Sequence, residues 1–233
     1  MRTALSAIAI PFCAFALPTG IAQAQDTGVV YAGGAAGGGA VNGYVGGVVS
    51  LPGARLGNGL AVRAGVTGGD YNYEANGERI DAQYIGAEVA LVYQTSADWG
   101  WANFSAGPRI TDTSLKPNDP GNPLRGTTYD LAIQTDGSVG SSFRATWFAS
   151  LGVDKRAYIT QLRLSPLVDG ATDTRIGIEG GIQGDRTYTR KSLGLFASRR
   201  LGDKWQGSIS GGVTDQRGIG AQGYGTLGVS RVF

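Results

Sequence analysis

Histidine is absent from all 233 residues. It is the usual general base near neutral pH, so Ser–His and Cys–His catalytic devices are excluded, as are His-based metal sites. Cysteine occurs once, at Cys13, inside the N-terminal leader described below. The mature chain therefore has no disulfide framework, no thiolate nucleophile and no zinc–thiolate site, and no cofactor or metal is expected. Long apolar runs are missing too. Beyond Ala24 none approaches the roughly 18 residues of a spanning helix, and the best candidate, residues 87–93, contains Glu88. If such a chain crosses a membrane it does so with strands, because lipid admits only helices and closed barrels. Charge is nearly balanced, with 20 basic and 18 acidic residues, so no nucleic acid partner is expected.

Glycine, by contrast, is abundant: 40 of 233 residues, more than twice the usual share of about 7%. No Gly-x-y period holds, which excludes collagen. Apolar residues alternate between the glycines, which argues against disorder. Strands with a small-residue inner face, in a tightly curved wall, satisfy both facts. Gly-x-Gly patterns such as Gly177 to Gly181 sit inside strands with no following helix, so they are not nucleotide fingerprints.

The two ends agree with that reading. Arg2, an apolar run over residues 4–17 and Ala22-Gln23-Ala24 form a secretory signal peptide, residues 1–24, with maturation at Gln25. Phe12 before Cys13 does not fit a lipobox. The last eleven residues, 223–233, place Leu227, Val229 and Phe233 on one face and Thr226, Gly228 and Ser230 on the other. An apolar-out, polar-in strand ending on an aromatic residue is the repeat unit of an outer-membrane β-barrel. Arg231 interrupts the apolar face near the headgroup level, where a basic residue costs about 0–1 kcal/mol.

Alternation and turn residues predict about twelve strands in the mature chain, 25–233, with ten as the alternative because the first, 29–36, is poorly defined. The others fall at 43–51, 60–68, 83–94, 101–111, 127–135, 142–153, 158–167, 174–182, 191–198, 205–213 and 223–233. The fold class is thus all-β, a single antiparallel transmembrane barrel. An even count puts both termini in the periplasm of a Gram-negative outer membrane. The longer connections, 70–81, 112–126 and 214–222, are then extracellular. Aromatic girdles are expected from Tyr93, Trp99, Trp101, Trp205 and Phe233 at one rim and Tyr71, Tyr129, Tyr158 and Tyr224 at the other. Twelve strands tilted by about 40° close to a backbone diameter of roughly 24 Å.

On this register Arg63, Glu88, Arg109, Asp130, Arg144, Arg163, Arg175 and Glu179 face the lumen. They form either a selectivity lining for a polar or anionic solute or a self-neutralising network that packs a narrow lumen. Mixed signs on neighbouring strands favour the network. The pairs expected are Glu88 with Arg109 and Glu179 with Arg175. The densest local signature is the loop 116–126. Its residues Asp119, Pro120, Asn122, Pro123, Arg125 and Gly126 combine fixed φ with turn formers. It reads equally as a lid or docking surface for a polymer and as a stapled, protease-resistant loop.

The sequence resembles the cellulose biosynthesis protein BcsS family over nearly all of the mature chain. The resemblance rests on Gly43-Tyr-Val-Gly-Gly-Val-Val-Ser-Leu-Pro-Gly53, Gly59-Leu-Ala-Val-Arg-Ala-Gly65 with Tyr71-Asn-Tyr73, Tyr84-Ile-Gly-Ala-Glu88, Asp119-Pro-Gly-Asn-Pro-Leu-Arg-Gly126 and Tyr224-Gly-Thr-Leu-Gly228. It implies a role in cellulose or exopolysaccharide production and no catalytic residue. The expected function is a non-enzymatic outer-membrane accessory in contact with lipid, cellulose or a related polysaccharide, and periplasmic secretion components. A small porin-like diffusion channel is the alternative. A lipid-modifying enzyme is disfavoured by the missing histidine.

Overall fold

The computed structural model describes residues 26–75, 77–185, 188–216 and 220–233. The signal peptide expected over residues 1–24 lies outside the described residues. Twelve strands follow one another: β1 (Gly28–Gly37), β2 (Ala40–Ser50), β3 (Gly59–Ala75), β4 (Glu78–Ala97), β5 (Gly100–Lys116), β6 (Gly126–Val139), β7 (Phe143–Gly152), β8 (Tyr158–Asp169), β9 (Thr174–Gly184), β10 (Thr189–Arg200), β11 (Trp205–Gln216) and β12 (Gly220–Val232). Each pairs antiparallel with its sequence neighbours, and β12 returns to β1, closing the barrel. The count is twelve, and the poorly patterned first strand is real. Closure reaches the last residue: Thr27 N–H donates to the Phe233 carbonyl at 2.7 Å, and Phe233 N–H to the Gly28 carbonyl at 3.0 Å. Closure removes every sheet edge, which lipid would otherwise leave unsatisfied.

The wall is apolar outside and polar inside. Val45, Ile85, Phe104, Ile133, Leu195 and Leu227 are all exposed, whereas Arg63, Gln94, Asn103, Gln134 and Glu179 are buried. A water-soluble domain would invert this arrangement, and a lipid-facing wall requires it. Glycine allows close approach where strands crowd. At Gly107, inside the barrel, a Cβ would meet the backbone of Val89 and Ala90 on β4. Beside it Pro108 lacks an N–H, and the β4–β5 ladder skips from Glu88↔Arg109 to Leu91↔Ala106. The β1–β2 hairpin turns on Gly38 and Gly39, with φ of 63° and 74°, the conformation two-residue hairpins require.

Several boundaries differ from the sequence-based expectation. Strands β3, β4 and β5 run 17, 20 and 17 residues, beyond the roughly 9–11 needed to cross lipid. The stretch 70–81 is therefore mostly strand: β3 runs on to Ala75 and β4 begins at Glu78. Their alternation explains why. Tyr71, Tyr73, Ala75, Ile80, Ala82 and Tyr84 all point inward and form a buried cluster with Ala40 and Leu115. The polar residues between them, Asp70, Asn72, Glu74, Arg79 and Asp81, take the other face, at odd–even spacing. The long loop shrinks from 112–126 to 117–125, and β11 and β12 extend into 214–222.

Three residues assigned to the girdles turn inward. Tyr71 joins the buried cluster just described. Tyr224 donates to Glu179. Trp101 packs against Val29, Val48, Ala61 and Val92 at the end of the barrel that carries both termini. Tyr93, Trp99, Trp205, Phe233 and Tyr129 are exposed, as a girdle requires.

Candidate functional site: a filled interior and a covered cup

Three layers fill the interior. At the terminal end Val29, Val48, Ala61 and Val92 form a dry cluster with Tyr31, Leu56, Trp101 and Val232. Leu56 belongs to the connection 51–58, which folds under this end: Leu56 N–H donates to the Asp26 carbonyl at 3.3 Å and Gly57 N–H to Gln94 Oε1 at 3.4 Å.

Above this cluster runs a continuous polar network. Gln94 Nε2 donates to Asn103 Oδ1 at 3.2 Å, and Asn103 Nδ2 to Asp136 Oδ2 at 2.9 Å. Arg63 closes the next links, with Nη2 donating to Asp136 Oδ1 at 2.5 Å and Nη1 to Gln134 Oε1 at 2.8 Å. Gln134 Nε2 in turn donates to Glu88 Oε1. Glu88 Oε2 takes two bonds from Arg109, at 2.9 and 2.6 Å, and Arg109 continues to Ser150 Oγ at 3.2 Å. Five strands, β3 to β7, thus meet in one chain of donors and acceptors. Such a network stabilises when its members are satisfied; Arg63 Nε is its one buried side-chain atom without a partner among the described residues.

The opposite side of the wall carries two further knots. Arg163 and Glu179 face each other across β8 and β9, with Nε 2.9 Å from Oε2. Gln161 and Tyr224 also donate to the Glu179 carboxylate, at 3.2 and 2.6 Å, and the Arg163 guanidinium lies 5.0 Å from the Phe196 ring centroid. Nearer the terminal end Asp173 is shared by Arg144 at 2.9 Å and Arg175 at 3.0 Å.

The structure places Arg63, Glu88 and Arg109 in one network, and Glu88 opposes Arg109 directly. The expected Glu179–Arg175 pair along one strand is replaced: Glu179 takes Arg163, because a directly opposed cross-strand partner lies closer than one four residues along. Asp130 sits higher and accepts from Asp154 N–H at 2.9 Å. Asp136 and Asp173 were missed. Asp136 continues the inward period of Asp130 and Gln134, and carrying β6 one residue past Thr135 would have found it. Asp173 belongs to a turn and leaves no periodic signal.

At the far end, opposite the termini, lies a cup. Tyr73 Oη is the anchor of its cover. It donates to Asp119 Oδ2 at 2.8 Å and accepts from Asn122 Nδ2 at 2.9 Å. Each of those side chains also closes its own turn: Asp119 Oδ1 accepts from Gly121 N–H at 3.0 Å, and Asn122 Oδ1 from Leu124 N–H at 2.9 Å. Two consecutive Asx turns therefore fold the loop back over the mouth. Asp119 and Asn122 are buried, while Pro120, Pro123 and Arg125 are exposed; Arg125 Nη1 donates to Asn118 Oδ1 at 3.0 Å. Gly126, at φ 71°, ends the loop. Of the loop residues marked in the sequence, Asp119 and Asn122 thus face the barrel rather than the outside.

Under the loop is a cavity of about 110 Å³. Leu124 from the loop, Tyr71, Tyr188 and Ile159 supply apolar faces. Thr111, Thr113 and Thr128 supply hydroxyls, and Arg109, Asp130, Lys155 and Asp185 supply charge. The Tyr188 hydroxyl is buried without a partner among the described residues. Burial also pushes this phenol well above its usual range, so it stays protonated and able to donate. Apolar faces with a few convergent polar groups are the general form of a small-molecule site. Among the described residues no group of His, Cys, Asp or Glu is arranged to hold a metal.

A closed antiparallel wall with a lipid-ready exterior and a polar, filled interior defines an outer-membrane-type β-barrel. The fold has a counterpart among solved structures. The beta domain of the Bordetella autotransporter Brka superposes with a TM-score of 0.51 at 14% identity, covering 89% of this chain and 99% of that one. The translocator domain of the autotransporter NalP from Neisseria meningitidis gives a TM-score of 0.48 at 15% identity, covering 91% and 90%. The model of the family described as cellulose biosynthesis protein BcsS matches residues 29–233, and the chain belongs to that family. No curated protein matches it.

Proposed function

We propose that this protein is a closed, non-enzymatic barrel of the Gram-negative outer membrane that serves cellulose or related polysaccharide production by docking polymer, or a partner of the secretion machinery, at its covered cup. One observation carries this reading. Paired charges and an apolar plug occupy the interior, and the cavities bounded by the described residues, of about 110, 80 and 30 Å³, are too small for a polysaccharide to thread. A link to cellulose must then run through a surface rather than a pore. Tyrosine faces, threonine hydroxyls and carboxylates in the cup suit a hydroxylated ring. The absence of histidine from the sequence supports a non-catalytic role. The termini would face the periplasm, where the connection 51–58 is available to secretion components.

Two measurements test this. Intact cells or proteoliposomes bearing the protein should retain cello-oligosaccharide or co-sediment with cellulose, and replacing residues 118–125 with a glycine–serine linker should abolish that retention. The protein in a planar bilayer should be silent while heat-modifiable migration shows that it is folded.

A second reading, a small diffusion channel, is favoured by a row of cavities that share β8 and β9 in their lining. Ile159 lines both the cup and the next cavity, and the Arg163–Glu179 pair separates that cavity from the one below, with Glu179 on one side and Arg163 on the other. On this reading wild-type protein conducts, and Arg163→Ala raises the current.

A further inference from the structure

Arg190, at the start of β10, is buried, yet among the described residues no carboxylate pairs with it. Its Nε donates to Gln216 Oε1 at 3.1 Å, while Nη2 has no partner among the described residues. An arginine does not escape such a position by deprotonating, and an uncompensated buried charge is strongly destabilising.

Its neighbours share the deficit. Gln183 opposes Arg190 from β9 and Gln216 from β11. Gln183 Nε2, Gln216 Nε2 and Thr214 Oγ1 are all buried without a partner among the described residues. Three of the four groups are pure donors, and the fourth is a hydroxyl able to donate. Arg190, Gln183 and Thr214 line one cavity of about 80 Å³. The β1–β2 turn covers it: a Cβ on Gly38 would lie 3.3 Å from Arg190 Nη2.

Among the described residues no acceptor answers these donors. Glu179 lines the same cavity but opposes Gly194, four residues from Arg190, about 13 Å along the strand. It is already held by Arg163, Gln161 and Tyr224. Asp185 lines the neighbouring cup instead. A buried cation ringed by unanswered donors is complementary to an anion with several lone pairs.

We infer that Arg190, Gln183, Thr214 and Gln216 form a binding site for an oxyanion group, a phosphate or carboxylate, at the far end of the barrel beneath the β1–β2 turn. The group arrives either as a free ion or as a substituent on a sugar, and the chemistry that holds it is the same. The site is independent of the cup and of the polysaccharide role proposed above.

The full chain, extracted in a non-ionic detergent, is titrated with inorganic phosphate, glucuronate and glucose 6-phosphate at constant ionic strength. Calorimetric binding and the heat-unfolding midpoint are read. At least one of these anions should bind and raise the midpoint. Arg190→Gln should weaken that binding at least tenfold, and Gln183→Leu, which keeps the charge, several-fold. Lys191→Gln, on the outward face of the same strand, should leave it unchanged. Equal affinity for phosphate and glucose 6-phosphate assigns the site to the free ion; tighter binding of a sugar-borne group assigns it to a substituted glycan. The inference is overturned if none of the three anions binds, or if binding survives undiminished in both Arg190→Gln and Gln183→Leu.

Discussion

Replacing Arg63 with alanine is expected to destabilise the barrel by about 3–5 kcal/mol, the largest effect of any single interior change. Arg63 and Asp136 are 5% and 3% exposed and sit 2.5 Å apart. Removing the guanidinium strands a carboxylate whose remaining side-chain donor is Asn103, and it takes one donor each from Gln134 and Ser105. The penalty is that of a buried charge left unpaired, not the net worth of the pair. The double variant Arg63→Met, Asp136→Leu removes both charges and should cost clearly less than the single one, because hydrophobic replacement of a buried pair is often near neutral. Urea unfolding of the detergent-solubilised protein, read by the folded and unfolded bands in cold electrophoresis, gives both numbers. A single-variant loss below about 1 kcal/mol would mean that the pair behaves as a solvated surface bridge and that water reaches the middle of the barrel. That result would also revive the channel reading.

Freeing the loop is the second large effect. Tyr73→Phe removes one hydroxyl and with it two hydrogen bonds, leaving buried Asp119 and Asn122 without that shared partner. A hydrogen bond to a charged group contributes about 1.5–3 kcal/mol and a neutral one about 1. The loop should therefore open locally at least tenfold more often, since each 1.4 kcal/mol is a factor of ten. Trypsin reports this at Arg125, while Lys116, followed by Pro117, is a poor site. Cleavage after Arg125 should accelerate tenfold or more in the variant while the barrel band persists. Cellulose retention should fall in parallel if the covered cup is the docking surface. Faster cleavage with unchanged retention would leave the loop as a protective staple and move the docking surface elsewhere. Unchanged cleavage would show that the two Asx turns hold the loop without Tyr73.

Both predictions turn on contacts that local pattern reveals unequally. Glu88 and Arg109 were legible as a pair because adjacent strands and a shared inward face bring them together. Arg63 and Asp136 were not: 73 residues separate them. The register neighbours of Arg63 are Val48 and Ala90, yet its partner stands on β6, three strands away. That reach exists because the wall curves and the chord across a small lumen is shorter than the path around it. The Tyr71-Asn-Tyr73 stretch was misread for a related reason. Its residues resemble a polar tip, but their inward positions are apolar, and only the facing strands show that an interior is there to receive them.

The sequence by itself determined the class of structure: a closed barrel of about twelve strands, its lipid face and its inner face. Those properties follow from a period of two and from the absence of long apolar runs beyond Ala24, of histidine and of any cysteine beyond Cys13, all local or compositional facts. Tertiary structure alone decided which charges meet, that Asp119 and Asn122 turn inward to hold a cover, and that Arg190 is left, among the described residues, with donors around it and no carboxylate. Those outcomes depend on strand register and on distances across the lumen, which are set by closing all twelve strands at once and are written in no single segment.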